Sequence, residues 1–344
     1  MAELRIVDAG TVTALRSQSL WHGLAAAIED GEPPVLSFCR PTGPYVSIGY
    51  HRSLDELDLP ACRRLGLPVL RRRIGGGPVY IDSDQLFFQL TLPAGACAMA
   101  VERLYREYLG PAVKAFRALG LDARLSGVND IAVGETGDRK VSGTGAGQIG
   151  NGVTIVGNVM FRFPHDRMAS ILSLPDEAAR AECSRLMRRH VSSLEMEGCQ
   201  AGPQEAKAAL VTAYSTSLGL DPRAATLSAA EAVAIERWDA RLGDSEWVAG
   251  RPAPYRAGRQ IKINAQAWLY LASDGGLKVR ATVVNGRLEY TRIESAHLNG
   301  AGLRMSRELE GTAADAEGLQ RSLRSFGEDG ERVARLLVPG MTLQ

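Results

Sequence analysis

The chain has 344 residues, of which 45% are apolar and 23% are charged, and its formal net charge at pH 7 is +1. This composition predicts a folded protein of about two domains, and the near-neutral charge argues against nucleic acid or an anionic membrane as the main partner. No apolar run reaches the roughly 20 residues that span a bilayer, and the first residues lack a signal-peptide pattern, so we expect a cytoplasmic protein.

The cysteines and histidines show no pattern of a metal site or a disulfide framework. The five cysteines are widely scattered without a Cys-x-x-Cys pair, which predicts free thiols in a reducing compartment. The five histidines also lack metal-ligand spacing, and we interpret each as a surface or capped residue. Only five of the 40 basic residues are lysines, so a lysine beside a candidate site is informative.

The N-terminal part of the chain predicts a helix followed by a glycine-interrupted sheet. Apolar residues at near-helical spacing over 11–30, ended by Gly31 and Pro33, predict an opening helix. The β-rich runs 35–39 and 45–50 flank a Pro-Thr-Gly-Pro turn. Further strands are expected around the glycines that follow, over 69–73, 79–81 and 86–92.

The middle of the chain alternates between strand and helix patterns. An apolar stripe predicts an amphipathic helix over 98–119. Strands are then expected over 130–133, 139–142 and 153–163. Helical patterns follow near 165–173, 176–190, 203–219 and 228–243.

The composition changes around 246–252, where Gly250 and Pro252 indicate a segment that crosses between domains. We therefore predict domains at 1–245 and 246–344. The second begins with strands over 261–263, 268–271 and 277–284, and Asn285-Gly286 is a strong hairpin signal. Helical patterns near 314–326 and 329–337 close the chain.

The most unusual segment is 71–80, which reads Arg-Arg-Arg-Ile-Gly-Gly-Gly-Pro-Val-Tyr. Three consecutive glycines in a β region weaken a sheet, but they offer bare N–H groups to an anion, and arginines supply fork-shaped donors for a carboxylate or phosphate. The alternative is a glycine-rich hairpin turn beside a surface arginine cluster. No Walker loop or dinucleotide fingerprint is present.

A second group of candidate residues comprises Asn129, Asp130 and Lys140, the last followed by Val-Ser-Gly-Thr-Gly. A lysine beside a reacting phosphate or acyl oxygen neutralises developing charge. The Asn-Asp pair is suited to orienting that lysine or holding Mg²⁺ through oxygen atoms. The alternative is an Asn-Asp turn and an edge-strand lysine that protects the sheet from aggregation.

Together these motifs, in this order, resemble the lipoate-protein ligase A family, whose catalytic fold is shared with biotin ligases and octanoyltransferases. Val-Ser-Ile-Gly at 46–49 and Glu-Trp at 246–247 extend the resemblance. It implies an α+β fold, with a mixed β-sheet flanked by helices and a small C-terminal α+β accessory domain. It also implies ATP-dependent activation of lipoate or octanoate to an acyl-adenylate, followed by transfer to a lysine of a lipoyl-domain acceptor protein, with ATP and Mg²⁺ as cofactors.

The resemblance also implies the site residues. Lys140 is expected to be the catalytic lysine that contacts the phosphate or acyl oxygen. The residues expected to bind the nucleotide or acyl-adenylate are Arg72, Gly75, Gly76, Gly77, Pro78, Val79, Tyr80, Asn129, Asp130 and Lys140. The metal-binding residues are left open.

The sequence departs from the family pattern at three places. Ile81 and Ile155-Val156 stand where the family usually has histidines, and the loop after Lys140 is unusually rich in glycine. These differences leave open the acyl substrate and the acceptor.

Two alternative functions stay open. An octanoyltransferase of the same fold needs a cysteine to carry the acyl group, and no cysteine lies between Cys97 and Cys183. A non-catalytic lipoate-binding accessory protein would have little use for the paired cations Arg72 and Lys140.

Overall fold

The computed structural model describes residues 2–97, 100–250, 258–298 and 300–341. The chain forms two compact units, Met1–Arg180 with Val191–Ala253, and Ala181–His190 with Pro254–Gln344. Pro252, part of the predicted crossing segment, lies outside the described residues. The predicted domain boundary between residues 245 and 246 stays a prediction.

Helices form at every place where the sequence has a helical pattern. In chain order, the helices of the first unit are α1 (Ala14–Ala27), α2 (Leu59–Arg64), α3 (Val101–Ala118), α4 (His165–Ser170), α5 (Glu177–His190), α6 (Pro203–Leu218), α7 (Ala229–Gly243) and α8 (Ser245–Ala249). The last ten residues of α5 group with the second unit. That unit also contains α9 (Ala301–Leu309), α10 (Ala316–Leu323) and α11 (Gly327–Met341).

The first unit is built on three sheets. Its strands are β1 (Glu3–Val12), β2 (Val35–Pro41), β3 (Tyr45–Ile48), β4 (Val69–Arg71), β5 (Val79–Ile81), β6 (Gln85–Pro93), β7 (Arg124–Ser126), β8 (Asp130–Val133), β9 (Arg139–Gly143), β10 (Gly145–Ile149), β11 (Gly152–Met160) and β12 (Asp221–Ala224). The largest sheet has the order β10-β11-β6-β2-β1-β12, and the smaller sheets are β4-β3-β5 and β7-β8-β9.

The largest sheet is mixed, as predicted. Strand β1 pairs in parallel with β2 and β12, whereas β2, β6, β11 and β10 pair antiparallel. Side chains of α3 and α6 pack in one apolar cluster with this sheet, and those of α1 and α7 pack in another. Helices α1 and α7 approach closely at Gly23, where a Cβ atom would lie 2.4 Å from the Ile235 side chain.

The second unit contains an antiparallel sheet of β13 (Gly258–Lys262), β14 (Ala267–Asp274), β15 (Leu277–Val284) and β16 (Arg287–Glu294). The predicted Asn285-Gly286 hairpin is confirmed, because both residues have positive φ, 50° and 72°, as a tight turn requires. Helices α9, α10 and α11 pack on the sheet through an apolar cluster that includes Met305, Leu319 and Val333.

The sequence analysis missed several short elements, namely α2, α8, β7, β10 and β12, and it also missed β1 and α9. Strand β1 alternates weakly between buried and exposed residues and contains Gly10, so its local pattern is poor. Helix α9 is short and follows Gly300, which has positive φ. Among the described residues, no helix has the length and apolar character needed to cross a membrane. The cytoplasmic location stays a prediction.

Candidate active site

The glycine motif forms the connection between β4 and β5. Gly75 and Gly76 are exposed, and Gly76 has φ +97°, which favours glycine. A Cβ atom added at Gly75 or Gly77 would meet no other atom within 4 Å, so open space lies in front of the loop. Within the part of the chain that the structure describes, the N–H groups of these three glycines donate to no acceptor. The loop therefore presents free backbone donors.

Arg72 holds this loop in shape. Its guanidinium donates to the carbonyl oxygens of Gly75 (2.8 Å) and Gly77 (2.9 Å). It also donates to the carbonyl oxygen (2.9 Å) and hydroxyl (3.3 Å) of Ser47. Because its Nε–H bonds Gly75 as well (3.1 Å), all five N–H donors are used. Arg72 thus fixes the conformation of the loop through hydrogen bonds to its carbonyl groups. Burial lowers its pKa to about 10, so the guanidinium stays charged at neutral pH.

The Val-Ser-Ile-Gly strand β3 supports the loop from the other side. The Arg72 N–H donates to the carbonyl of Ile48 at 3.0 Å. A Cβ atom at Gly49 would lie 2.1 Å from the carbonyl oxygen of Gly76, so only glycine allows this approach. The glycine of the Val-Ser-Ile-Gly motif is therefore explained by the close contact of Gly49 with the glycine loop.

The two neighbouring arginines have different environments. Arg71 is 1% exposed and donates to backbone carbonyls that include those of Gly49 and, at the end of α8, Val248. Arg73 is exposed, with its guanidinium carbon 4.2 Å from the centre of the Tyr50 ring. The alternative of a surface arginine cluster is therefore wrong for Arg71 and Arg72.

His22 is a positioning residue that the sequence analysis missed, because it was interpreted as a surface or capped residue. It is fully buried and stacks on Trp21, with ring centres 3.5 Å apart. Its Nδ1–H donates to the carbonyl of Gln18 (2.7 Å), and its Nε2 accepts from the backbone N–H of Arg73 (3.0 Å). The bond that Nε2 accepts needs the neutral ring, and burial lowers the pKa of His22 to about 3. A helix thereby anchors the start of the glycine loop.

This histidine makes the stability of the protein depend on pH. The pKa of His22 is about 6.5 in the unfolded chain and about 3 in the folded protein. At pH values between these two, the histidine is protonated in the unfolded chain and neutral in the folded protein. The free energy of unfolding should therefore fall as the pH drops below 6.5, by about 2 kcal/mol at pH 5. Urea unfolding at pH 7 and pH 5 measures this loss.

His22→Gln should remove this part of the pH dependence, whereas replacement of the exposed His51 by Gln should retain it. An equal loss of stability in wild type and His22→Gln would contradict the assignment.

Lys140 lies on β9, an edge strand of its sheet, but its side chain does not point freely into solvent. Its Nζ lies 2.8 Å from Oδ1 of Asp130, and the two side chains are 23% and 1% exposed. The ammonium also lies beside Gly143, where a Cβ atom would be 3.2 Å from Nζ. The buried Asp130 carboxylate therefore orients a lysine that remains partly accessible, which is one of the two roles that the sequence analysis left open for Asn129 and Asp130.

Asn129 occupies the turn before β8, in agreement with the turn interpretation. Its Nδ2 donates to the carbonyl of Thr144 (2.7 Å), and the Thr144 hydroxyl donates back to the carbonyl of Asn129. Asn129 thus fixes the junction between β9 and β10. The glycine-rich segment after Lys140, which was interpreted as a loop, includes strand β10, paired antiparallel with β11.

A chain of polar contacts joins the glycine motif to the lysine motif. Gln85 donates to the carbonyl of Tyr80 (3.1 Å), and Asn158 donates to the side-chain oxygen of Gln85 (2.8 Å). Asn158 Oδ1 in turn accepts from the backbone N–H of Gly143 (2.9 Å). A second contact comes from Ile74, whose side chain lies against β10. Two segments nearly seventy residues apart are thereby brought together.

The remaining predicted residues lie on the same strand, β5, and the turn before it. Pro78 is half-buried, Val79 is 38% exposed and Tyr80 is buried. Gln85 and Asn158, which connect the motifs, were not identified from sequence. Their only signal is polarity within otherwise apolar strands.

Comparison with known protein families matches residues 15–215 to the lipoyl protein ligase A/B catalytic domain. The chain belongs to this family. The match includes the glycine loop and the lysine motif, and it confirms the resemblance inferred from those motifs. Members of the family named among the relatives include both ligases and octanoyltransferases.

Two relatives illustrate this range. Lipoate-protein ligase A subunit 1 of Thermoplasma acidophilum is 28% identical over 230 residues, covering 64% of this chain and 86% of that protein. Octanoyltransferase LipM of Geobacillus kaustophilus is 24% identical over 275 residues, covering 71% of this chain and 96% of that protein.

Solved structures confirm the α+β fold. A bipartite lipoate protein ligase from Thermoplasma acidophilum, described with its E2 lipoyl domain, has a TM-score of 0.68 at 25% identity, covering 73% of this chain and 97% of that chain. A lipoate-protein ligase A bound with ATP has a TM-score of 0.61 at 22% identity, covering 72% of this chain and 98% of that chain. The protein is an enzyme of the lipoate ligase and octanoyltransferase family.

Proposed function

We propose that this enzyme is an ATP-dependent lipoate-protein ligase. The carboxylate of lipoate or octanoate attacks the α-phosphorus of ATP and displaces pyrophosphate. The amine of a lysine on a lipoyl-domain acceptor then attacks the acyl-adenylate carbonyl, forming an amide and releasing AMP. The observation that supports this proposal is the hydrogen-bonded link from Tyr80, which follows the glycine loop, through Gln85 and Asn158 to Gly143 on the Lys140 strand. Catalysis is assigned to residues 1–245 and an accessory role to 246–344.

The loop and the lysine have complementary roles in this reaction. The free N–H groups of Gly75, Gly76 and Gly77 are suited to bind phosphate or carboxylate oxygens, since backbone donors held in a fixed loop need no reorganisation. The Lys140 ammonium neutralises the charge that develops on the phosphate or acyl oxygen. Asp130 holds that ammonium in place through the ion pair, and the hydrogen bonds of Arg72 fix the conformation of the loop.

Mg²⁺ enters with the nucleotide in this proposal. Among the described residues no group of three or more potential metal ligands occurs. Asp130 supplies one buried carboxylate whose Oδ2 accepts no hydrogen bond from the described residues, and Mg²⁺ is commonly held by one or two carboxylates together with substrate phosphates. The donor set thus fits a nucleotide-bound ion. Such an ion would neutralise part of the negative charge of the phosphates.

Octanoyl transfer is the second candidate, favoured by the similarity to LipM. Transfer through a thioester needs an accessible, readily ionised thiol. All five cysteines are described, and those at 39, 62, 97 and 183 are buried. Burial raises the pKa of the Cys39 thiol to about 12, and it also raises the pKa values of Cys62 and Cys97. These environments argue against the four buried cysteines as acyl carriers, whereas Cys199 is half-buried and its thiol donates to the carbonyl of Leu119 at 3.3 Å.

A pyrophosphate assay separates the two reactions. We expect pyrophosphate release from ATP and Mg²⁺ that depends on lipoate or octanoate, followed by acylation of a lipoyl domain, measured by mass spectrometry. Acylation from octanoyl thioester without ATP, and no acid-dependent pyrophosphate release, would favour the transferase. Binding of lipoate with neither reaction would favour the accessory protein.

A further inference from the structure

Helix α8 is joined to the start of the glycine loop by hydrogen bonds in both directions. The Trp247 Nε1–H donates to the carbonyl oxygen of Arg71 at 2.8 Å. The Arg71 guanidinium donates in return to the carbonyl oxygens of Val248 (3.0 Å) and Ala249 (3.1 Å). All of these residues belong to the first unit. Since Arg71 directly precedes Arg72, α8 is attached at the point where the loop begins.

The same guanidinium also holds the turn after β3, residues 49–52. Its Nη1 donates to the carbonyl oxygens of Gly49 (3.0 Å), Tyr50 (3.2 Å) and Arg52 (2.7 Å). Arg71 is 1% exposed, and these hydrogen bonds compensate for the burial of its charge. One buried side chain therefore bonds α8 and this turn at the same time.

This turn contacts the glycine loop directly. The Tyr50 N–H donates to the carbonyl oxygen of Ile74 at 3.1 Å. A Cβ atom at Gly49 would lie 2.1 Å from the carbonyl oxygen of Gly76, so the two backbones leave no space between them. A shift of the turn would therefore move the loop or break its contacts. Arg71 thus connects α8 to the loop twice, through its own backbone and through this turn.

The residues around α8 are matched to Arg71. The Trp247 ring centre lies 5.4 Å from that of Tyr50 and 4.5 Å from the guanidinium carbon of Arg241, so the ring has neighbours that hold it in place. Gly250 follows α8 with φ +63°, and a Cβ atom there would lie 2.7 Å from Cζ of Arg71. A side chain at position 250 would therefore displace the guanidinium from the α8 carbonyls.

We propose that Arg71 and Trp247 are positioning residues, which hold the glycine loop in its anion-binding conformation through α8. Both bond backbone carbonyl groups, so they act through the loop and not on a substrate. A fixed backbone keeps the glycine N–H groups oriented toward an anion without reorganisation. This inference rests on the proposed function, since it takes those N–H groups as the site of a phosphate or carboxylate.

Two substitutions weaken this attachment at different atoms. Trp247→Phe keeps an aromatic ring but removes the N–H donor, and Gly250→Ala places a methyl group against the Arg71 guanidinium. Hydrogen exchange is measured at the backbone amides of Tyr50 and Arg72, which both donate to carbonyl groups. We expect about tenfold faster exchange at both amides in either variant, because the loss of one hydrogen bond shifts local opening to this extent. The value of kcat/KM for ATP in acid-dependent pyrophosphate release should fall by a similar factor.

Each variant has a matched control. Glu246→Ala changes an exposed side chain of the same helix and keeps the Trp247 donor. Gly219→Ala introduces alanine at φ +66°, close to the +63° of Gly250, but its Cβ atom would meet no other atom within 4 Å. Gly219→Ala should therefore lower the thermal stability as Gly250→Ala does. Both controls should keep the exchange of the Tyr50 amide and kcat/KM for ATP within about twofold of wild type.

Exchange at the wild-type rate in folded Trp247→Phe and Gly250→Ala would overturn the inference, and so would an equal acceleration in both controls. Faster exchange with a wild-type kcat/KM for ATP would also overturn it, because the attachment would then have no effect on the reaction.

The exchange measurement needs no substrate, so it separates this inference from the proposed function. Wild type that releases no pyrophosphate would refute the ligase reaction. Faster exchange confined to Trp247→Phe and Gly250→Ala would still support the positioning of the loop by α8.

Discussion

Lys140→Ala should lower acid-dependent pyrophosphate release by at least about 100-fold, because it removes the cation that neutralises charge developing in the reaction. The substitution also leaves the Asp130 carboxylate without its ion-pair partner. This carboxylate is 1% exposed and lies 2.8 Å from the lysine ammonium in the wild type. An unpaired buried charge is strongly destabilising, by about 3–5 kcal/mol. Activity must therefore be compared in protein shown to be folded by circular dichroism.

A double variant separates the two effects. Lys140→Ala combined with Asp130→Asn removes the unpaired buried charge. The thermal stability of the double variant should therefore recover, while its activity should stay low. Lys114→Ala is the control, because Lys114 is an exposed lysine of α3 that bonds the hydroxyl of Ser217. Near-normal turnover in the folded double variant would contradict the catalytic role of Lys140.

Arg72→Lys should be severely disruptive even though the charge is retained. Arginine bonds three different residues through five N–H donors, and a lysine ammonium with three donors on a flexible stem cannot span the same carbonyls. The substitution would leave the buried polar groups of Ser47 and the part-buried carbonyls of Gly75 and Gly77 without these donors, and we expect the free energy of unfolding to fall by about 3 kcal/mol. Pyrophosphate release should fall more than tenfold, since the loop amides would lose their fixed orientation. Urea unfolding and the pyrophosphate assay measure the two effects.

Arg40→Lys is a matched control for this substitution. Arg40 is a partly exposed arginine whose Nε–H also donates to a backbone carbonyl, that of Ser83, at 3.2 Å. Its replacement should change stability by less than about 1 kcal/mol and leave activity unchanged. If Arg72→Lys behaved like Arg40→Lys, the loop geometry would not depend on the Arg72 contacts.

Most elements of the fold could be predicted from local sequence pattern. The opening helix, the amphipathic helix α3 and the Asn285-Gly286 hairpin all have strong local signals, namely apolar periodicity and turn-forming residues. Strand β1 had no such signal. It is a strand because β2 and β12 pair with it on both sides, and those partners are remote in sequence.

The candidate site could be predicted in its residue types but not in its contacts. The triple glycine and Lys140 were identified because glycines in a β region and a rare lysine are unusual locally. Arg72 was expected to bind the ligand, yet its donors bond Ser47, 25 residues away, and the loop itself. His22 was interpreted as a surface or capped residue because a sequence does not show what buries a side chain.

The sequence by itself determined most element types and the family, and it predicted an anion-binding role for the glycine loop, since these follow from residues close together in the chain. Tertiary structure alone decided which arginine supports the loop, which lysine has a buried carboxylate partner and which side chain, that of Ile74, lies against the glycines of β10. The physical reason is that hydrogen bonds and steric exclusion act over a few ångströms in space. Arg71 and Val248 bond across 177 positions of the chain, and no local pattern encodes such a contact.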